Sequence, residues 1–276
     1  MLNIEDLHFS YHRKPVLDGI DLSIMPGEII GIIGPNGCGK TTLLKHLNRN
    51  LDPAVGRVLL DDADIKEMSK SDIAKHIAAV PQSNEIHFAF TARDIVTMGR
   101  MPFLEKFRGE SADDMKAVED AMRRTNITDL ADRYINTMSG GERQRVIIAR
   151  ALAQTPEIML MDEPTLHLDI CNQFDVLELV KGLSDETGLT VVIVSHDLPM
   201  VVRYCDRIMM LKDHKIFAIG TPEEVLTREN MREIFNVDAV FEKDEHTGQN
   251  TVRIFGSCTG MQQGTAEPRP DPAYQG

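Results

Sequence analysis

The segment that most constrains this chain runs from Glu28 to Thr42. Glu28-Ile29-Ile30-Gly31-Ile32-Ile33 is an apolar run of the kind a strand buried on both faces needs, and it follows a Pro26-Gly27 turn. Gly34-Pro35-Asn36-Gly37-Cys38-Gly39-Lys40-Thr41-Thr42 comes next and matches G-x-x-x-x-G-K-[ST]. Thr41–Asn48 then reads as a helix. Glycines let backbone N–H groups converge on phosphate oxygens without a Cβ in the way. The helix start adds partial positive charge. In this arrangement Lys40 is expected to reach the β- and γ-phosphates of a nucleotide, and the Thr41 hydroxyl to ligate Mg2+. A glycine-rich turn without a ligand is the rival reading, and the flanking strand and helix count against it. Cys38 is either a small residue filling space or a thiol activated by the helix start.

Around this segment the pattern is that of an α/β chain. Leu2, Ile4, Leu7 and Phe9, and then Leu17–Ile24, read as strands of an antiparallel layer with one wet face. Gly56–Leu60 and Ile77–Pro81 read as further strands. From about Ser83 to Ala153 the spacing turns helical, as at Ala117, Val118, Ala121 and Met122, which predicts a mainly helical insertion. Within it, Ser111-Ala112-Asp113-Asp114 is most simply a helix start. Strands at Ile158–Met161 and Val191–Val194 flank a helix at about Cys171–Glu186, a βαβ rhythm that predicts a mostly parallel sheet. Ile208–Leu211 and Lys215–Ile219 form a late hairpin in this reading, followed by a helix at Pro222–Phe235 and a second hairpin near Val240–Ile254. Beyond about Gly256 the chain carries Pro and Gly with few large apolar groups, and a disordered tail over 257–276 is expected.

Composition removes several functions. Asp and Glu number 43 against 30 Lys and Arg, a formal charge of −13, which argues against a protein that grips nucleic-acid backbones. The absence of Trp, with 5% aromatic residues, argues against base-stacking platforms for nucleic acid. No apolar stretch approaches the ~20 residues of a membrane-spanning helix, and the N-terminus lacks a signal-peptide pattern. Action at a membrane would be from its surface, through a partner. The cysteines at 38, 171, 205 and 258 form no CxxC pair, the usage of a reducing compartment. His46, His76, His87 and His214 show no metal-ligand spacing.

Two more motifs carry chemistry. Ile158-Met159-Leu160-Met161-Asp162-Glu163 is a strand ending in two carboxylates. Asp162 is suited to hold Mg2+, and Glu163 to polarise an attacking water. Solvated or capping carboxylates are the plainer alternative. Ser139-Gly140-Gly141-Glu142 precedes an apolar helix. It is either a second anion-binding helix start or an ordinary capping box of Ser139 with Glu142.

The motifs together resemble the ATP-binding cassette ATPases, over about Met1–Gly220 and in the family's order. The resemblance implies a P-loop NTPase core with a mostly parallel sheet, an N-terminal antiparallel β layer and a helical subdomain inserted at about 83–153. It makes Gly34–Thr42 the Walker A loop and Ser139, Gly140, Gly141 and Glu142 the signature. Asp162 and Glu163 become Walker B and the catalytic glutamate, and Asp169 the D-loop. Tyr11 would stack on adenine. Gln82 would be the Q-loop glutamine touching Mg2+ or the attacking water, and His196 the switch histidine sensing the γ-phosphate. Taken singly, Tyr11 is as well a half-buried strand aromatic, Gln82 a surface loop residue and His196 a helix cap or core histidine. Met138 stands where the signature usually has Leu, a swap of similar volume.

Only one set of motifs is present, so the resemblance implies a homodimer with two composite ATP sites. Phe90–Pro102 is similar to the corresponding segment, T-x-x-D-x-V-x-x-G-R-x-P, of importer ATPases for ferric siderophores, haem and vitamin B12. The implied partners are an integral-membrane permease and, indirectly, an extracytoplasmic binding protein. The implied place is the cytoplasmic face of the membrane. Importers of oxyanions such as molybdate and soluble, non-transport members of the superfamily remain alternatives. A GTPase would need N-K-x-D, which is not found, and a small-molecule kinase would leave Ser139–Glu142 unexplained.

Overall fold

The computed structural model describes residues 1–82, 88–104, 109–245 and 247–258. The tail expected over 257–276 therefore lies almost wholly outside the described residues, as does His87. An N-terminal hairpin, β1 (Leu2–Tyr11) and β2 (Lys14–Ile24), leads into β3 (Ile29–Ile33) and α1 (Lys40–Leu47). Then follow β4 (Val55–Leu60), β5 (Ala63–Asp64), α2 (Lys70–His76) and β6 (Ile77–Val80). Between β6 and β7 (Ile158–Asp162) the named elements are all helical: α3 (Ala92–Thr97), a 3-10 helix Met98–Phe103, α4 (Ala112–Arg124), two short 3-10 turns and α5 (Gly140–Leu152). After β7 come α6 (Ile170–Thr187), β8 (Thr190–Val194), α7 (Leu198–Tyr204), β9 (Arg207–Lys212) and β10 (Lys215–Gly220). The described chain closes with α8 (Pro222–Val225), α9 (Arg228–Phe235), β11 (Val237–Lys243) and β12 (Asn250–Ser257).

The central sheet runs β10-β9-β3-β8-β7-β6, parallel except at the β10 edge. Its inner strands are apolar throughout because each face has its own core. Ile29, Ile33, Met159, Met161, Val191 and Ile193 enter the core shared with α4–α7. Ile30, Ile32, Leu160, Val192 and Val194 enter the one shared with α1 and the N-terminal layer. Gly31 is the small member of β3, since a Cβ there would lie 2.6 Å from Val201 Cγ1 of α7. The N-terminal sheet, β2-β1-β4-β5, is antiparallel and buries one face. Its alternation slips between Ile4 and Leu7, where Asp6 sits at φ 43° in a register break.

The Gly99-Arg100 pair in the segment after Gln82 has a packing reason. A Cβ on Gly99 would lie 2.2 Å from the Arg150 carbonyl of α5. The buried Arg100 guanidinium meets Asp114 Oδ1 at 2.8 Å, donates to the Ala153 carbonyl at 2.7 Å and lies 3.7 Å over the Phe103 ring. Asp114 also closes a capping box with Ser111 at the start of α4. The Ser111 hydroxyl, then its N–H, then Arg100, hold the Asp114 carboxyl down at about 2.

One expectation is corrected. Residues 222–235 are not one helix but two, α8 and α9, because Thr227 leaves the helical region and accepts from the Asn230 N–H as a fresh N-cap. The hairpin expected near Val240–Ile254 is present as β11 and β12. Asp238 at its base is buried and bonded by Arg228 and Arg232 of α9, which hold its carboxyl at about 2.

Candidate active site

Four neighbouring parallel strands end on one side of the sheet, and each hands over a motif there. β3 runs into Gly34–Gly39, β7 into Asp162 and Glu163, β8 into Ser195 and His196, and β6 into Gln82. This is the edge at which open α/β sheets bind ligands. A cavity of about 400 Å3 opens there, lined by Tyr11, Asn36, Gly37, Gly39, Lys40, Thr41, Thr42, Gln82, Glu163 and His196, with Val16. Sequence reasoning missed Val16; its only signal is an apolar residue at the start of a strand. Its carbonyl would lie 2.5 Å from a Cβ on Gly39.

The loop before α1 is shaped for an anion. Gly39 takes φ +111° and α1 has no side-chain cap, so the N–H groups of its first turn have no side-chain oxygen of their own. Lys40 is buried, with Nζ donating to the Gly34 carbonyl at 2.8 Å and the Pro35 carbonyl at 3.0 Å. Gly34 has no room for a side chain, because a Cβ would lie 2.3 Å from the Leu211 carbonyl. Cys38 is only 5% exposed, and burial pushes its thiol up, so it fills a small position and is not an activated nucleophile.

The carboxylates divide by environment. Asp162 Oδ1 accepts from Thr41 Oγ1 at 3.2 Å, and burial raises its carboxyl above the usual range, opposed by the Thr41 bond and by the charges of Lys45 and Lys40. A half-buried carboxylate and a hydroxyl converging on one spot are oxygen donors of the kind a hard cation takes, together with phosphate oxygens and water. Glu163 continues the β7 ladder by one bond, N–H to the Val194 carbonyl at 2.9 Å, but turns to φ 49°. That left-handed turn costs a non-glycine residue ~1–2 kcal/mol. Its carboxylate meets His196, Nε2 to Oε1 at 2.7 Å. The helix-cap reading of His196 is excluded, because Asp197 caps α7 through the Met200 N–H, and His196 is too exposed to be a core residue.

Ser139, Gly140, Gly141, Glu142 and Asp169 stand apart from this cavity's lining. Ser139 Oγ accepts from the Glu142 N–H at 3.2 Å, and Glu142 Oε2 accepts from the Ser139 N–H at 2.8 Å, so the capping box exists. The Ser139 N–H, then its hydroxyl and Arg133, hold the Glu142 carboxyl below its ordinary value. Asp169 caps α6 through the Asn172 N–H. Asn172 in turn leans on the α5 start, where a Cβ on Gly141 would lie 2.0 Å from its Oδ1.

Residues 17–166 match the ABC transporter family. The chain is 40% identical to the cobalamin import ATP-binding protein of Halobacterium salinarum over 91% of its own length and 63% of that protein's, so it spans less than two thirds of that relative. It is 39% identical to the ferric enterobactin transport ATP-binding protein of Escherichia coli, over 91% of this chain and 93% of that one. Among solved structures, a bacterial ABC transporter cassette in dimeric form superposes with a TM-score of 0.69 at 31% identity, covering 80% of this chain and 99% of that one. Among the described residues no helix is long and apolar enough to cross a membrane.

Proposed function

We propose that this chain, which belongs to the ABC transporter family, is the ATP-hydrolysing subunit of an importer for a metal chelate. The observation that carries the ATPase reading is the Glu163–His196 pair, 2.7 Å apart, in one cavity with Lys40, Thr41 and the Tyr11 ring. The importer reading is supported by relatives named for cobalamin import and ferric enterobactin transport, both chelated metals. The Gly99-Arg100-Met101-Pro102 segment supports it as well.

In this reading, 1–220 is the ATPase domain with 83–153 as its helical insertion, and 221–256 is an appendage. Adenine stacks on Tyr11. The phosphates sit on the backbone of Gly34–Gly39, including Pro35, Asn36, Gly37 and Cys38, and on Thr42. Lys40 exchanges its two loop carbonyls for the β- and γ-phosphate oxygens. Mg2+, held by Thr41 and Asp162 with Gln82 nearby, supplies charge neutralisation at those oxygens when bound. Glu163 takes the proton of the attacking water, Gln82 orients that water, and His196 fixes the Glu163 carboxylate while facing the γ-phosphoryl charge. Two copies close head to tail, so that Ser139, Gly140, Gly141 and Glu142 of each reach the nucleotide of the other, with Asp169 beside them. The dimer works at the cytoplasmic face against permease subunits, and through them an extracytoplasmic binding protein.

Glu163→Gln tests this. It is expected to bind MgATP, dimerise and lose turnover by about 10²–10⁴-fold. Wild-type hydrolysis by this variant would remove Glu163 as the base. Gentle purification of the variant from native membranes with MgATP is expected to bring a polytopic permease with it. Recovery of only soluble partners would sink the transport role and leave the ATPase standing.

A further inference from the structure

We propose that Phe9 and His46 are positioning residues for the base. They hold the Tyr11 ring at a set place relative to the phosphate loop, and so give the cavity its preference for a nucleotide over bare triphosphate. The inference rests on the ATP reading of the cavity and adds to it how the base platform is fixed.

Tyr11 is the last residue of β1 before a two-residue turn, His12-Arg13, both left-handed at φ 47° and 70°. It is 41% exposed, so the tip of a hairpin alone would leave its ring free to choose rotamers. Phe9, two residues back on the same face of the strand, meets it with centroids 4.8 Å apart and planes at 88°. Phe9 is packed against the core beneath and meets a second ring, His46, at 4.6 Å and 70°. His46 lies on α1, fully buried, with Nδ1 2.8 Å from the Thr42 carbonyl. The Thr42 carbonyl can only accept, so the proton belongs on Nδ1, which donates to it, while Nε2 is buried on the side of the Asp52 backbone with no close hydrogen bond. Burial lowers the imidazole, in keeping with a neutral ring.

Three rings thus join two residues of one cavity. Tyr11 and Thr42, in the first turn of α1, both line it. An apolar side chain at 46 would avoid the cost of an unpaired buried nitrogen. The imidazole adds a donor that locks its plane to the helix carrying Lys40 and Thr41, and that plane is what Phe9 packs on. The strand that holds the base and the helix that holds the phosphates are far apart in sequence, and this stack joins them beside their shared apolar core.

The test is a set of affinities for Mg-ATP and for Mg-bound inorganic triphosphate, by calorimetry, on the full chain. Variants are Tyr11→Ala, Phe9→Leu and His46→Leu, with each of the latter two also in the Tyr11→Ala background. Phe9→Leu and His46→Leu are expected to weaken ATP about three- to tenfold and triphosphate less than about twofold. In the Tyr11→Ala background they are expected to add nothing to the loss for ATP. Equal loss for both ligands, no loss, or an undiminished effect without Tyr11 would overturn the proposal. Thermal melting confirms folding of each variant, and should His46→Leu not fold, Phe9→Leu carries the test alone. If wild type binds ATP no tighter than triphosphate, or Tyr11→Ala leaves ATP affinity unchanged, the adenine reading itself fails, an outcome distinct from failure of the stack.

Discussion

The starts of α1 and α5 carry the same cue, small residues followed by a helix, and their own residues finish them in opposite ways. At α1 the capping position is a left-handed glycine with no side-chain bond, and the first turn holds no carboxylate. At α5 Ser139 and Glu142 satisfy one another, and Arg133 Nη1 rests on Glu142 Oε1 at 2.9 Å. The other α-helices among the described residues are also capped by a side chain. An uncapped start is therefore the exception, and it is the one that faces the cavity. The contrast separates two kinds of helix start: one whose N–H groups are left free by its own residues, and one whose N–H groups are already satisfied. The α5 start is finished, so a phosphate reaching it competes with the internal box.

The sharpest way to break the contrast is to place a methyl group at each start. Gly39→Ala puts a Cβ at φ +111° and 2.5 Å from the Val16 carbonyl, whereas a Cβ at Gly140 meets nothing nearer than Leu168 Cδ2 at 3.1 Å. Calorimetry is expected to show ATP affinity falling about 100-fold in Gly39→Ala and less than about threefold in Gly140→Ala. Similar losses would mean that the two starts are equivalent. A smaller effect is expected of Ser139→Ala. The isolated chain keeps its ATP affinity within about twofold and loses ~1 kcal/mol of stability in denaturant, while steady-state turnover drops about tenfold. Unchanged turnover would leave Ser139 a cap and nothing more.

α4 offers a further contrast, since its capping box includes Asp114, which also pairs with the buried Arg100. Asp114→Asn is expected to lower the thermal midpoint by about 5 °C at pH 7. The folded carboxyl lies at about 2, below its ordinary 3.8, so its contribution is complete above the unfolded value and fades as pH falls through about 2. Melting curves should therefore converge for variant and wild type toward that pH. A gap that stayed constant would assign the loss to packing.

Strands and their order of burial were legible because an apolar run such as Ile29–Ile33 has one physical use, a strand with a core on each side. The bulge at Asp6 leaves only a slip in the apolar alternation from Ile4 to Leu7, and β4 accommodates it with Gly56, where a Cβ would lie 2.2 Å from the Asp6 carbonyl. The break between α8 and α9 was missed because Thr227 reads equally as a helix residue or a cap, and the bond to the Asn230 N–H decides. In the site, the local motifs Gly34–Thr42 and Asp162-Glu163 announce themselves by spacing. The pairings that give them geometry, Thr41 with Asp162 and Glu163 with His196, join residues far apart in the chain and come from strand order. The links from Phe9 to His46 and from Arg100 to Asp114, one a ring contact and the other an ion pair, have no spacing signal at all.

The contact between Gly141 and Asn172 has one more consequence. Asn172 fills the space where a side chain on Gly141 would be, and its Nδ2 donates to the Asp169 carboxylate that begins α6. The two helix starts therefore meet through one side chain, Asn172, which touches Gly141 and bonds Asp169. Moving the Gly141 backbone toward α6 would therefore press on Asn172 and disturb its bond to Asp169, on the chain segment that follows Glu163.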